Sequence, residues 1–76
     1  MKTYKLDYFH GGESFYTLEE AVAEATTILE TEYQGVSEEI EIDEITFTKD
    51  GEQLSRQAKA TVTIWDNGDI EVGVRN

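Results

Sequence analysis

The chain has 76 residues, and its 6 Lys and Arg stand against 17 Asp and Glu, which gives a formal charge of −11. So short a chain forms a single domain over residues 1–76, and so negative a chain is repelled by nucleic acid and by anionic lipid, so we expect it to bind neither directly. The absence of Cys excludes disulfides, thiolate metal sites and a Cys nucleophile. No signal-like or membrane-length apolar run occurs, so we expect a soluble, cytoplasmic protein.

The first predicted element is a strand over residues 2–9. Its side chains alternate between apolar and polar types, with Leu6 in the apolar phase, and this period of two is typical of a half-buried strand. Residues 10–12 include two adjacent glycines, which predict a turn. Residues 15–16 are aromatic and predict a short return strand.

A helix is predicted over residues 18–33. Thr17 and Glu20 have the spacing of a capping box, in which the two side chains satisfy free amides of the first helical turn. Apolar residues then recur at steps of three and four, and Gly35 supplies the left-handed residue that commonly ends a helix.

The next segment contains two apolar phases. Ile40 and Ile42 alternate in one phase, while Ile45 and Phe47 alternate in the other. A regular strand would expose one of the two pairs, so the pattern predicts a bulge near residues 43–44.

Two hairpin turns follow. Asp50-Gly51 predicts a two-residue turn, which places Phe47 opposite Leu54. Residues 66–68, Asp-Asn-Gly, predict a three-residue loop with a glycine bulge. This loop aligns aliphatic pairs, namely Ile64 with Ile70, Val62 with Val72 and Ala60 with Val74.

The predicted order β-α-β-β-β gives an α+β, two-layer fold. One helix packs on one face of a mainly antiparallel four-stranded sheet, and the other face is solvated. The pattern leaves the position of the first strand in the sheet open.

Negative charge is unevenly distributed along the chain. No Lys or Arg occurs between Leu6 and Thr48, although twelve of the seventeen acids lie in that stretch. On the helix, Glu20 and Glu24 have a like-charge spacing of four residues, which is unfavourable. A Lys at the second of these positions would have favoured the helix more.

A row of carboxylates is predicted on the strand after the helix. Glu39, Glu41 and Asp43 share the phase opposite Ile40 and Ile42, with successive side chains roughly 6.7 Å apart. This spacing is comparable to that of neighbouring phosphates in DNA, whose protein partners present Lys and Arg in matching positions. Such a row could occupy the same basic groove.

These observations favour a non-enzymatic, acidic inhibitor that binds a basic surface of a partner protein, most naturally one that binds nucleic acid. In size and charge the chain resembles small phage-encoded inhibitors that mimic DNA against restriction or CRISPR machinery. The resemblance is one of composition and implies no particular residue. The predicted partner-binding residues are Glu20, Glu24, Glu39, Glu41 and Asp43, with Trp65 as an exposed anchor. The hypothesis requires these carboxylates to form one continuous patch that Lys and Arg do not neutralise.

Other functions remain as alternatives. The chain could be a structural or accessory domain, including an edge-strand homodimer, whose acids serve only solubility or salt adaptation. We expect no catalytic residues, since the single histidine, His10, sits beside two glycines as a loop residue and no relay is visible. We also expect no cofactor and no metal, because the acidic run from Glu38 to Glu44 lacks a calcium-loop pattern.

Overall fold

A computed structural model describes residues 1–7 and 13–75. The end of the predicted first strand, at residues 8–9, and the predicted turn at residues 10–12 lie outside the described residues. The elements are β1 (Lys2–Asp7), β2 (Ser14–Phe15), α1 (Leu18–Glu32), β3 (Glu38–Phe47), β4 (Gln53–Ile64) and β5 (Ile70–Val74).

The strands form one antiparallel sheet in the order β2-β1-β3-β4-β5. The predicted α+β architecture with one helix on one face is confirmed. The sheet has five strands and not the predicted four, because the short return strand predicted at residues 15–16 forms at Ser14–Phe15 and joins the sheet beside β1. The first strand lies between β2 and β3, a position that the sequence left open.

The helix begins at the residue that the capping box predicts, but the Glu20 carboxylate accepts from the Thr17 hydroxyl where the box places the Thr17 amide. Thr17 has extended backbone angles, its hydroxyl oxygen accepts from the Glu20 amide at 3.2 Å, and the hydroxyl donates to the Glu20 carboxylate at 3.0 Å. The helix ends at Glu32, one residue before the predicted end. Within the described residues this is the one helix, and it is shorter and less apolar than a helix that crosses a membrane.

The core lies between α1 and the face of the sheet that α1 covers. The helix contributes Ala21, Ala25 and Leu29, and small residues at two of these positions let the helix axis approach the strands closely. The sheet contributes apolar side chains from β1, β3 and β4: Leu6, Ile40, Ile42, Ala60, Val62 and Ile64.

Both long hairpins use the same three-residue loop. The amide of Trp65 donates to the Asp69 carbonyl at 2.9 Å, and Gly68 has φ +92°, so the predicted loop at residues 66–68 and its aliphatic pairs are confirmed. The prediction of a two-residue turn at Asp50-Gly51 is wrong. There the Thr48 amide donates to the Glu52 carbonyl at 2.8 Å, which closes a loop over residues 49–51.

This first loop changes the predicted pairing of its hairpin. Gly51 has φ +87°, the left-handed conformation that a type I turn followed by a glycine bulge requires. As a result Phe47 faces Gln53 and not Leu54.

A bulge is present beside residues 42–43, close to the predicted position, but the additional residue lies on β4 and not on β3. β3 pairs with β1 without interruption, whereas its register with β4 shifts between Ile42 and Asp43, where Lys59 is the additional residue. β3 therefore alternates regularly along its length. Asp43 and Glu44 consequently point to opposite faces of the sheet, and both are buried.

Candidate acidic interaction site

Three carboxylates meet on the face of the sheet opposite α1, which we call the open face. Asp7 of β1 lies directly across from Glu41 of β3, and Asp43 follows two residues along the same strand. Their carboxylate oxygens all lie within 4.8 Å of one another. We refer to Asp7, Glu41 and Asp43 as the acid cluster.

The regular alternation of β3 places the cluster on this face. Ile40 and Ile42 are fully buried beneath the helix, so the intervening Glu41 must point away from it. The pairing of β1 with β3 then fixes Asp7 beside Glu41. The hydrophobic core thus holds like charges together, because a one-residue slip that separated them would expose the aliphatic side chains.

The cluster raises the pKa of Glu41 above its ordinary value. Desolvation is the largest cause, followed by the charge of Asp43, a side-chain hydrogen bond with Asp43 and the charge of Asp7, while Arg75 acts in the opposite direction. Each of the raising effects disfavours the ionised carboxylate. The positive groups around Glu41 therefore do not compensate for the negative ones.

Asp43 is the member of the cluster that has a cationic partner. The Arg56 Nε donates to its carboxylate at 2.7 Å, and the Asp43 side chain is 8% exposed whereas that of Arg56 is 40% exposed. Asp43 therefore has an ion-pair partner within the fold, although its charge still acts on Glu41. Asp7 and Glu41 carry the uncompensated charge of the cluster.

The six predicted site residues do not form one surface. The open face receives Glu39, Glu41 and Asp43, of which Glu39 is exposed and Asp43 is buried. The two helix acids lie on the opposite side of the molecule, where Glu20 binds Thr17 in the cap and Glu24 is half-buried. One flat partner surface cannot contact both sets.

Trp65 lies at the end of the open face. Its side chain is 46% exposed, and its Nε1 donates to the Glu71 carboxylate at 3.3 Å. Glu71 pairs with Thr63, which in turn lies across from Glu39. The indole is therefore held beside Glu71, and Glu39 lies two strands further along the same face.

Sequence reasoning missed Asp7. Its partnership with Glu41 depends on β1 lying next to β3, and the sequence pattern did not fix that neighbour. The signal that could have found it is the aliphatic pairing of Leu6 with Ile42, which places the following residue of β1 opposite the preceding residue of β3.

The acid cluster offers only carboxylate oxygens, the ligands that hard divalent cations prefer. Of its three members, Asp43 already accepts from Arg56. A cation bound by all three carboxylates would have to compete with that guanidinium. A basic side chain that approaches Asp7 and Glu41 from solvent meets only Arg75, which has the smallest effect of the groups that act on Glu41.

A second group of polar residues lies around Glu44 on the helix side of β3. Glu44 accepts from the Gln57 amide at 3.4 Å and from the Tyr4 hydroxyl, and the Lys2 Nζ lies 3.5 Å from its carboxylate. Burial alone would raise the pKa of Glu44, but Lys2, the two hydrogen bonds and the charge of Lys59 together lower it below its ordinary value. Burial, followed by the contact with Glu44, raises the pKa of Tyr4. We refer to Lys2, Tyr4, Glu44 and Gln57 as the Glu44 group.

A shallow groove of about 290 Å³ lies between the end of α1 and the β4–β5 loop. Its titratable residues are Glu30 and Asp66, and it lies at the lower limit of the volume typical of small-molecule sites. Two acids without a neighbouring base or nucleophile are a poor arrangement for catalysis.

Comparisons of the chain with protein-family models, with curated proteins and with solved structures gave no match.

Proposed function

We propose that this protein is a non-enzymatic inhibitor that binds a basic surface of a partner protein through the open face of its sheet. The observation that carries the proposal is the acid cluster, in which the fold gathers three carboxylate groups within 4.8 Å. The contact residues are Asp7, Glu39 and Glu41, with Glu71 and Trp65 at the end of the face.

The raised pKa of Glu41 supports a cationic ligand. Arg56 pairs with Asp43, and Arg75 acts on Glu41, but at Glu41 the effects of burial and of the neighbouring acids outweigh that of Arg75. An Arg or Lys side chain of a partner would supply the missing positive charge at short range. Binding would then favour the ionised form of Glu41, so complex formation would release protons near the pKa of that group. The attraction between the cationic side chain of the partner and Glu41 would therefore supply a favourable interaction that the isolated protein does not make.

Trp65 supplies the apolar part of the proposed interface. Buried Trp residues are frequent hot spots in protein interfaces, and an indole face attracts Lys and Arg. Its hydrogen bond to Glu71 fixes the ring beside an acid. An Arg that stacks on the ring can therefore also reach a carboxylate.

The helix acids have a different role in this proposal. α1 carries five Glu and no Lys or Arg, and it lies on the side of the sheet away from the acid cluster. Charges outside the contact act mainly on the rate of encounter, because they attract an oppositely charged partner over about one Debye length.

A protein that binds nucleic acid is the partner class with the densest positive surface. The protein would occupy that surface and exclude the nucleic acid. A phage inhibitor of restriction or CRISPR machinery, acting as a DNA mimic, is the specific form of this function that the resemblance in size and charge suggests.

Two double variants of equal charge test the proposal. Glu39→Lys with Glu41→Lys alters the open face, and Glu20→Lys with Glu24→Lys alters the helix; each changes the net charge from −11 to −7, because every substitution adds two charges. Partner proteins are captured from a host lysate and identified by mass spectrometry, with and without competing DNA. We expect the open-face variant to lose the partner and the helix variant to keep it.

Further outcomes separate the rival functions. DNA should displace the captured protein if the partner surface is one that binds nucleic acid. Equal capture by both variants would contradict an interface on the open face, and it would favour an accessory domain whose acids serve solubility. Thermal melts of both variants show that the fold is retained.

A further inference from the structure

The sheet ends on one side in β5. β4 lies on its inner side, and within residues 1–7 and 13–75 no strand lies beyond it. An edge of this kind presents a row of free backbone donors and acceptors that another strand can pair with.

The hydrogen bonds to β4 show which backbone groups point outward. The Trp65 amide donates to the Asp69 carbonyl, and the Arg75 amide donates to the Lys59 carbonyl at 2.7 Å. In an antiparallel pair, hydrogen-bonded positions alternate with positions that face away. Residues 69, 71, 73 and 75 therefore face β4, and residues 70, 72 and 74 direct their N–H and C=O groups to the free edge.

The same three residues carry apolar side chains on the helix side of the sheet. Ile70 packs against the core, whereas Val72 and Val74 are 44% and 52% exposed because α1 packs on β1 to β4. Natural edge strands commonly avoid pairing with a Lys, a Pro or a bulge. β5, with the sequence Ile-Glu-Val-Gly-Val, has none of these. Its one charged side chain, Glu71, is held by Trp65 on the open face.

We propose that β5 pairs antiparallel with β5 of a second copy, which joins the two sheets into one. A two-fold axis perpendicular to the sheet relates the copies, and in this isologous arrangement both helices lie on the same side. Val72 faces Val72 of the partner subunit, and Ile70 faces Val74 of the partner subunit. The exposed valines are thereby covered by each other.

Charge and backbone pairing select this register. It pairs the outward N–H and C=O groups of Ile70, Val72 and Val74. It also places Asp69 opposite Arg75 of the partner subunit at both ends of the paired strands. Glu71 then lies opposite Gly73 of the partner subunit, which has no side chain. A slip of two residues one way places Glu71 against itself, and like charges directly opposite are unfavourable. The opposite slip leaves the outward groups of Ile70 without a partner in β5.

A second copy fits this edge better than an unrelated strand, because β5 is complementary to itself in apolar pattern and in charge. The two copies nevertheless repel each other through their net charge of −11, and salt screens this repulsion. The dimer should therefore become more stable as salt is added. Both acid clusters would face the same way, so the dimer would present two of them to one partner.

Sedimentation velocity over a range of protein concentrations, at low salt and at about 0.5 M salt, tests the proposal. We expect a monomer–dimer equilibrium that shifts toward the dimer at the higher salt. Val72→Lys places two ammonium groups opposite each other and should abolish the dimer. Val36→Lys is the matched control, since Val36 is 51% exposed, lies outside the strands and adds the same charge.

A charge exchange tests the register. Arg75→Asp should weaken the dimer, and Asp69→Lys in the same chain should restore it, because the double variant keeps the net charge and again pairs unlike charges. Hydrogen exchange gives an independent measure, since the amides of Ile70, Val72 and Val74 should become protected only as the dimer forms. A monomer at all concentrations up to about 1 mM would overturn the proposal, and so would a dimer that Val72→Lys leaves intact.

Discussion

The acid cluster and the Glu44 group lie on the same strand but on opposite faces of the sheet. On the open face, Glu41 lies beside two other carboxylates, and its pKa is raised. On the helix face, Glu44 is surrounded by Lys2, the Tyr4 hydroxyl and the Gln57 amide, and its pKa is lowered. Glu41 is half-buried and Glu44 is buried, so burial alone does not explain the opposite shifts.

The difference lies in the partners that the fold supplies. Glu44 is satisfied within the chain, and we interpret it as a structural residue. Asp7 and Glu41 are held together without sufficient positive charge, an arrangement that does not favour folding but suits a cationic partner. Removing each group should therefore change the stability of the isolated protein in opposite directions.

The largest effect is expected for Glu44→Ala. This substitution leaves Gln57, Tyr4 and Lys2 without their shared acceptor, so it should lower the free energy of unfolding by about 1–3 kcal/mol. Urea denaturation at neutral pH measures the change. Glu39→Ala is the matched control, because Glu39 is exposed on the same strand and its removal should stay within about 0.5 kcal/mol. Equal effects of the two variants would show that the Glu44 group contributes little.

Glu41→Gln should stabilise the protein, in contrast to Glu44→Ala. The amide removes the repulsion from Asp7 and Asp43 and can still donate a hydrogen bond to Asp43, so the free energy of unfolding should rise by up to about 1 kcal/mol. The same urea experiment at pH 7 detects it. A loss of stability would mean that Arg75 compensates for the charge of Glu41 in the folded protein.

The pH dependence of stability should combine both groups. Because the folded protein holds the Glu41 proton more tightly than the unfolded chain, stability should rise as the pH falls from 7 toward the ordinary value of 4.5. Below 4.5 the unfolded chain takes up the Glu44 proton first, so stability should fall as the pH drops through the lowered pKa of that group. Denaturation midpoints between pH 7 and pH 3 test this.

The two branches of the pH profile can be assigned by variants. Glu41→Gln should flatten the rise between pH 7 and 4.5, and Glu44→Gln should flatten the fall at lower pH. A profile that Glu41→Gln leaves unchanged would rule out Glu41 as the group responsible for the rise.

The smallest effect is expected on the helix. Glu24→Lys replaces a repulsion with an attraction to Glu20 at a spacing of four residues, and it should raise the free energy of unfolding by about 0.5 kcal/mol. Thermal melts at low and high salt measure the gain, which salt should diminish. A gain that salt does not change would indicate packing of the half-buried side chain and not charge.

Much of the fold could be predicted from local pattern. The capping box at Thr17 and Glu20 fixed the start of the helix, and the loop at residues 66–68 fixed the register of the last hairpin. The first hairpin was mispredicted because Asp50-Gly51 also fits a two-residue turn, and only the pairing of Thr48 with Glu52 distinguishes the two. The bulge was assigned to β3 because the phase change in β3 does not reveal which strand carries the additional residue.

The candidate site was predictable only in part. Alternation along one strand placed Glu39, Glu41 and Asp43 in a common phase, and this phase was confirmed as the open face. The sequence did not show that Arg56 would form an ion pair with Asp43 or that Asp7 would lie beside Glu41. These contacts join residues that are distant in the chain, and they form only because β1 and β4 both lie next to β3 in the sheet.

The sequence alone determined the amount and sign of the charge, the helix and the apolar phase of each strand, because these depend on residue type and local spacing. The tertiary structure decided which acids are paired, which are gathered without compensation and which edge of the sheet is left free. The physical reason is that electrostatic interactions depend on distance in space and on burial, and both are set by the order and register of the strands.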